Sequence, residues 1–304
     1  MRPSPLANPL ATVAHLETSA SQLDSIPPDL EDSIRFAGAS LTQAAGVLLR
    51  LPQEVIAQGI VLFQRFYLGP PGGSLTEYGA EQVSAASLYL TAKLSAYPKS
   101  ARSVVNVYAY LSNLPTSFYD AESLQKRGLE KEYFVSEGTY ERRRSTLFTT
   151  EQVILRTLGF NTHVQLPYTL CITYLQALDT FSHPRAPELA KRAIAYLNTA
   201  LLSPQCLYLT HQPSALATAA IYLAAREVGI KMPECEWWEV FDTDREMLGF
   251  LCVGMLSLEG WVSEEKGRWA GRSVPVSVEG VAEEMRRRKE ETGLDDDMQR
   301  AVNG

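Results

Sequence analysis

One short pattern occurs twice in this chain. The segment ASLYLTAKLS spans residues 86–95, and AAIYLAARE spans residues 219–227. When Lys93 is aligned with Arg226, both copies place a Tyr-Leu pair and then small residues directly before the cation. A helix that is apolar on nearly every side is buried in its domain. The repeat therefore predicts two similar helical domains, each built around one such helix.

Four further helical patterns surround the first copy. Apolar residues recur at helical spacing before and after it, and Pro52, Pro98 and Pro115 mark breaks between segments. Thr149 or Thr150 is the predicted N-cap of the last helix. In chain order, the five helical segments are EDSIRFAGASLTQAAGVLLRL, QEVIAQGIVLFQRFYLG, the central helix from about Glu77 to Ser95, SARSVVNVYAYLSNL and TTEQVILRTLGF.

The second copy is surrounded in the same order. No stretch of useful length alternates apolar and polar residues as a half-buried strand would. The sequence therefore predicts an all-α protein with two tandem five-helix domains. The second set reads LPYTLCITYLQALDTF, APELAKRAIAYLNTALL, SALATAAIYLAAREVGI, ECEWWEVF and DREMLGFLCVGMLSL.

Three polar segments flank or interrupt these domains. Residues 1–30 are rich in Pro, Ser and Ala and are predicted to form an extended N-terminal arm. The first domain is predicted at 31–162, with a long polar insert at about 115–146, and the second at 163–260. Residues 261–304 are highly charged and are predicted to be a tail, partly helical or disordered.

Composition narrows the classes of function. The formal net charge is −7 and the sequence pI is about 5.3, so no global field favours nucleic acid. The four cysteines form no CxxC pair and the four histidines have no metal-ligand spacing, so neither a metal nor a cofactor is predicted. Uninterrupted apolar runs are shorter than the roughly 20 residues that span a bilayer, and no membrane partner is expected.

Four strings of the sequence resemble a known family. They are LTQAAGVLLRLPQEVIAQGIVLFQRFY, VVNVYAYL, ILRTLGFNTHVQLPYTL and AIYLAARE, and the likeness extends over residues 16–258. The chain resembles the cyclins, and it resembles the cyclin L group more than cyclins K, T and C. The resemblance implies that the two five-helix domains are cyclin boxes.

The same resemblance implies a kinase-binding site. In cyclins, a Lys that ends the third helix and a Glu in the fifth helix hydrogen-bond the kinase near its regulatory helix C. The matching residues are Lys93 and Glu151, and the matching apolar neighbours are Leu94, Leu155 and Phe160. A fixed cation and carboxylate can orient a partner's backbone, while apolar neighbours supply buried surface.

The sequence departs from its relatives immediately after Lys93. Relatives carry an apolar residue and then two acidic residues, whereas this chain has Leu94, Ser95 and Ala96. This difference leaves open a helical scaffold whose kinase site has decayed. Another alternative is a DNA-binding transcription factor of the TFIIB type, which also uses the five-helix repeat. That class carries a zinc ribbon and a basic surface, which this sequence lacks.

The preferred interpretation is a regulatory subunit without catalytic chemistry of its own. By resemblance, it binds a cyclin-dependent kinase as a heterodimer and activates it. The implied setting is nuclear, in transcription by RNA polymerase II, in pre-mRNA splicing, or in both. No direct contact with nucleic acid is expected.

Overall fold

The computed structural model describes residues 8–68, 72–114 and 135–303, and over these residues the regular elements are helices. The all-α prediction is therefore confirmed. The first set of helices is α1 (Val13–Glu17), α2 (Ala20–Leu23), α3 (Pro28–Leu48), α4 (Gln53–Leu68), α5 (Ala80–Leu94), α6 (Ala101–Ser112) and α7 (Glu137–Thr157).

The second set follows a short connection. It consists of α8 (Tyr168–Ala177), α9 (Ala186–Ala200), the short α10 (Leu207–Thr210), α11 (Pro213–Val228), α12 (Arg245–Arg268) and α13 (Val278–Asn303). Two 3-10 turns, Thr180–Ser182 and Glu239–Phe241, interrupt the connections.

The repeated segments are the central helices, as the sequence predicts. Helix α5 packs against α3, α4, α6 and α7, and α11 packs against α8, α9 and α12. Ala86 and Ala92 of α5 have no exposed surface. Three hydroxyl groups inside the first domain pair with one another: Ser84 Oγ lies 2.6 Å from Thr42 Oγ1 and 2.7 Å from the Tyr108 hydroxyl. Small side chains on α5 thus allow four helices to approach it closely.

The start of α7 lies well before the predicted N-cap. Its cap is Ser136, whose hydroxyl accepts from the Thr139 amide at 3.4 Å, rather than Thr149 or Thr150. The polar sequence is helical because Tyr140, Leu147 and Ile154 recur every seven residues and are all buried. Residues 137–146 of the predicted insert are therefore helix. Residues 115–134 of the predicted insert lie outside the described residues.

The N-terminal arm differs from the extended segment predicted for residues 1–30. Over the described residues it contains α1 and α2, because Thr12 and Ser19 cap their first turns, and α3 already begins at Pro28. The arm also contacts the far domain. The Asn8 side chain accepts from the Gln165 amide at 2.8 Å, and the Ala11 amide donates to the Leu209 carbonyl at 2.7 Å.

The fourth and fifth helices of the second domain also differ from prediction. The segment ECEWWEVF forms a single 3-10 turn, which Asp242 ends with a left-handed φ of +54°. Helix α12 continues ten residues past Leu258, because Glu265 is buried and accepts from the Ser33 hydroxyl at 2.5 Å and the Trp269 indole at 3.2 Å. This contact joins α12 to α3 of the first domain.

The charged C-terminal segment folds back onto the first domain. We call residues 269–291 the strap; Trp269, Val274 and Val281 are buried in it. The Glu81 amide at the start of α5 donates to the Val276 carbonyl at 3.0 Å. A Cβ on Gly79 would lie 2.9 Å from that carbonyl oxygen, so this close approach requires glycine. Helix α13 begins within the strap at Val278 and continues to Asn303, so this part of the predicted tail is helical.

A carboxylate with three guanidinium partners fastens the strap. Glu284 is paired with Arg272 at 3.1 Å, Arg287 at 2.7 Å and Arg288 at 3.0 Å. Arg288 continues to Asp29 of α3 at 2.9 Å. Burial acts to raise the pKa of Glu284, but its arginine partners outweigh burial and lower that pKa to about 2. The cluster therefore stays ionised and links the strap to the first domain.

Glu284→Gln is expected to reduce the free energy of unfolding by about 1.5 kcal/mol at pH 7. Because the pKa of Glu284 is lowered by folding, its contribution is present above the unfolded value near 4.5 and is lost as pH falls towards 2. Urea denaturation at pH 7 and pH 3 measures this. The difference between wild type and variant should shrink at pH 3, and an equal difference at both pH values would contradict the assignment.

Candidate functional site

Two charged side chains meet where the central helix of the first domain ends. Lys93 lies in the last turn of α5, and Glu151 lies in the middle of α7, which packs against α5. The Lys93 ammonium and the Glu151 carboxylate form an ion pair. The Lys93 side chain is 49% exposed and that of Glu151 only 9%. The structure thus presents a half-exposed cation fixed by a buried carboxylate.

Exposed apolar side chains lie beside this pair. Leu94 is 62% exposed and Phe160 is 70% exposed, whereas Leu155 is half-buried. Leu155 is one turn beyond Glu151 on the same face of α7. The Phe160 amide donates to the Leu155 carbonyl at 2.8 Å, which closes the turn at the end of α7. The structure thus brings Lys93 and Glu151 together, while Leu94 and Leu155 lie near them on the same helices and Phe160 lies just past the end of α7.

The backbone at Phe160 is strained. Gly159 has a φ of +56° and Phe160 a φ of +60°, so two consecutive residues are left-handed. A left-handed conformation is unfavourable for a residue with a side chain. Such strain concentrates at binding sites. Here it turns an aromatic ring into solvent instead of into the core.

Ser95 stands where the family resemblance implies the first of two acidic residues after this Lys. Its hydroxyl donates to the Ala92 carbonyl at 2.8 Å and accepts from the Tyr97 amide at 3.0 Å. Ser95 therefore ends α5 with a turn. Tyr97, which is 53% exposed, extends the apolar surface beyond Leu94.

Three further residues line the same edge and were missed from the sequence. The Lys93 ammonium lies 5.2 Å from the centre of the Tyr89 ring, and that ring lies 6.0 Å from Phe148. The guanidinium of Arg144 lies 5.3 Å from the centre of the Phe148 ring. Spacing within each helix could have indicated part of this row, because Tyr89 is four residues before Lys93 and Phe148 three before Glu151. The approach of Phe148 to Tyr89 depends on how the two helices pack.

The second domain repeats only part of this arrangement. Arg226 lies over the Tyr222 ring at 5.9 Å, as Lys93 lies over Tyr89. No carboxylate pairs with Arg226 among the described residues, because the adjacent Glu227 forms an ion pair with Arg192 of α9. Among the described residues, the cation that ends the central helix is thus paired with a buried acid in the first domain and not in the second.

Comparison by sequence shows similarity to cyclins of the L type. Cyclin-L1 of Gallus gallus is 32% identical over 254 residues, which cover 83% of this chain and 44% of that protein. Cyclin-L1-1 of Arabidopsis thaliana is 33% identical over 242 residues, or 78% of this chain and 52% of that protein. The chain thus spans about half the length of these relatives. No family model matches it.

Comparison by structure shows similarity to a chain of a kinase complex. A chain in the crystal structure of the yeast RNA Pol II CTD kinase CTDK-1 complex superposes with a TM-score of 0.61 at 16% identity, covering 93% of this chain and 84% of that chain. At this level of identity the similarity concerns the fold alone.

Proposed function

This chain belongs to the cyclin family, and we propose that it is the regulatory subunit of a cyclin-dependent protein kinase. In this role it has no catalytic residues of its own. It binds the kinase conformation in which helix C is swung in, and so completes the Lys–Glu ion pair of the kinase active site. Activation is then a shift of the kinase population.

One observation carries this proposal: the Lys93–Glu151 pair lies on an edge with exposed Leu94 and Phe160. A monomer gains nothing from exposing these apolar groups around a fixed cation, whereas a protein interface uses both. The buried Glu151 holds Lys93 in place before a partner arrives, which reduces the ordering cost of binding. Leu155 completes the proposed contact surface.

The finer assignment rests on the names of the relatives. The similar sequences are cyclin L proteins, and one similar fold belongs to a kinase complex named for the RNA polymerase II tail. We propose that the kinase partner of this chain is nuclear and acts on transcription or on pre-mRNA splicing. The proposed assembly is a heterodimer, without direct contact to nucleic acid or membrane.

A kinase panel tests the proposal. The purified chain is titrated against transcription-linked and cell-cycle cyclin-dependent kinases, and both the affinity and the kinase activity are measured. We expect submicromolar binding and activation for at least one transcription-linked kinase. Binding without activation, or no binding to any member of the panel, would contradict the proposal.

A non-catalytic scaffold is the second candidate, and the turn at Ser95 favours it. Relatives carry carboxylates after the Lys, and here the Ser95 hydroxyl is already engaged with Ala92 and Tyr97. A scaffold would bind other proteins but would leave the activity of every kinase in the panel unchanged. The activity measurement therefore separates the two candidates.

A further inference from the structure

Helix α12 exposes a row of large apolar side chains on the second domain. Phe250 is 51% exposed, Val253 67% and Leu256 56%. Their spacing of three residues places them on one face of the helix. The opposite face is buried through Leu248, Leu251, Met255 and Leu258. We call residues 246–264 on the exposed side the α12 face.

The α12 face contains glycines that packing within the chain does not require. A Cβ added to Gly249 or Gly260 would meet no atom within 4 Å. Glycine within a helix is less stable than alanine, and here the chain's own packing does not require it. Small residues on a helix surface allow a second helix to approach closely. The glycines therefore leave shallow depressions on the α12 face, and a partner helix would fit against them.

Two carboxylates bound the face. By helical spacing, Glu246 and Glu264 lie within about 20° of Val253, and they are 18 residues or about 27 Å apart. Neither has an ion-pair partner among the described side chains. Two cations lie nearby: Arg245 is about 80° from Val253 by the same spacing, and Lys266, about 140° away, lines the groove beside Leu256. The face is therefore apolar at its centre and has one carboxylate at each end, in line with Val253.

A groove runs along one side of the face. It has a volume of about 590 Å³ and lies between α3, α9 and α12. Leu256 lines it together with Phe36, Leu202, Met255 and Val262. A partner helix lying on the α12 face would be able to insert an apolar side chain here, as the central residues of interfaces do.

We propose that the α12 face binds an amphipathic helix of a partner protein, with apolar side chains along its centre and Lys or Arg at both ends. The carboxylates decide the charge of the partner, because Glu246 and Glu264 are unpaired at the ends of the apolar row. A second copy of this chain would bring four carboxylates to one contact. This interaction is separate from the proposed kinase site, which lies on the first domain.

A lipid surface is the other class that such a helix suggests. Helix α12 is, among the described helices, the one long and apolar enough to cross a membrane, with a mean hydropathy of 1.2. Its apolar side chains, however, are divided between the core of the second domain and the face. The carboxylates at both ends of the face also oppose binding to anionic lipid.

The test uses two synthetic helical peptides of about 20 residues. Both carry Leu at positions a and d; one has Lys at both ends and the other Glu. We expect the Lys peptide to bind the full chain at least about tenfold more tightly than the Glu peptide. Val253→Glu should weaken the Lys peptide at least about tenfold. Val240→Glu is the matched control, because Val240 is 79% exposed outside this face, and it should change nothing.

Gly260→Leu is a second variant, which tests the close approach of the peptide helix. It leaves the free chain folded, because open space surrounds Gly260, and it should block close approach of the Lys peptide. The proposal would be overturned if both peptides bound with equal affinity or if neither bound at about 100 µM. It would also be overturned if Val253→Glu bound the Lys peptide as tightly as the wild type. Binding to neutral or anionic vesicles, or self-association that Val253→Glu abolishes, would also overturn it.

Discussion

Replacement of Lys93 or Glu151 by alanine is expected to weaken kinase binding at least about thirty-fold. Losing one partner of a charged hydrogen-bonding pair at an interface typically costs about 2–5 kcal/mol, and thirty-fold corresponds to about 2 kcal/mol. Lys93→Ala removes the cation that faces the kinase, and Glu151→Ala removes the group that fixes it. Titration with the partner kinase measures both affinities.

The melting temperature separates this role from a purely structural ion pair. Glu151→Ala should change the stability of the free chain little, because the half-exposed Lys93 remains hydrated. Lys93→Ala should lower it modestly, since it leaves a buried carboxylate unpaired. Arg226→Ala is the control: it removes the equivalent cation of the second domain and should not affect kinase affinity. Loss of stability with unchanged affinity in both site variants would assign the pair to the fold alone.

Ala92→Leu is expected to destabilise the chain by roughly 1–3 kcal/mol, because Ala92 has no exposed surface and the added atoms must displace neighbouring helices. Ala86→Leu should act similarly. Ala85→Leu is the matched control on the same helix, since Ala85 lines a groove of about 490 Å³ that can receive a larger side chain. Thermal melts of the three variants measure the effect. Equal melting temperatures would mean that α5 is not tightly enclosed.

The sequence predicted the central helices because their burial is a local property. Small and apolar residues occur on every side of α5 and α11, and the repeat itself pairs Tyr89 with Tyr222 and Lys93 with Arg226. The placement of Lys93 beside Glu151 came from the family resemblance rather than from spacing. The part of the row that was missed, Phe148 on the ring of Tyr89, depends on how α7 lies against α5. A pattern within one helix does not contain that information.

The elements that were wrongly predicted depend on contacts distant in sequence. The segment before Thr149 reads as polar, yet it is helix because Tyr140 and Leu147 pack on the domain. The strap was predicted as part of a charged tail, partly helical or disordered. It does contain helix, but the sequence did not predict that Val274 and Val281 are buried and that Glu284 pairs with arginines. In each case a few apolar residues within a charged sequence decide the structure, and averaged composition conceals them.

The contact between Glu81 and Val276 has a consequence for the order in which the protein is completed during synthesis. These residues are 195 positions apart, counted from 81 to 276. At about 5–20 residues per second, a ribosome needs roughly 10–40 s to cover that distance. Throughout this interval the nascent first domain has the amino end of its central helix uncovered. The second domain must therefore emerge before the first can form the hydrogen bond between Glu81 and Val276.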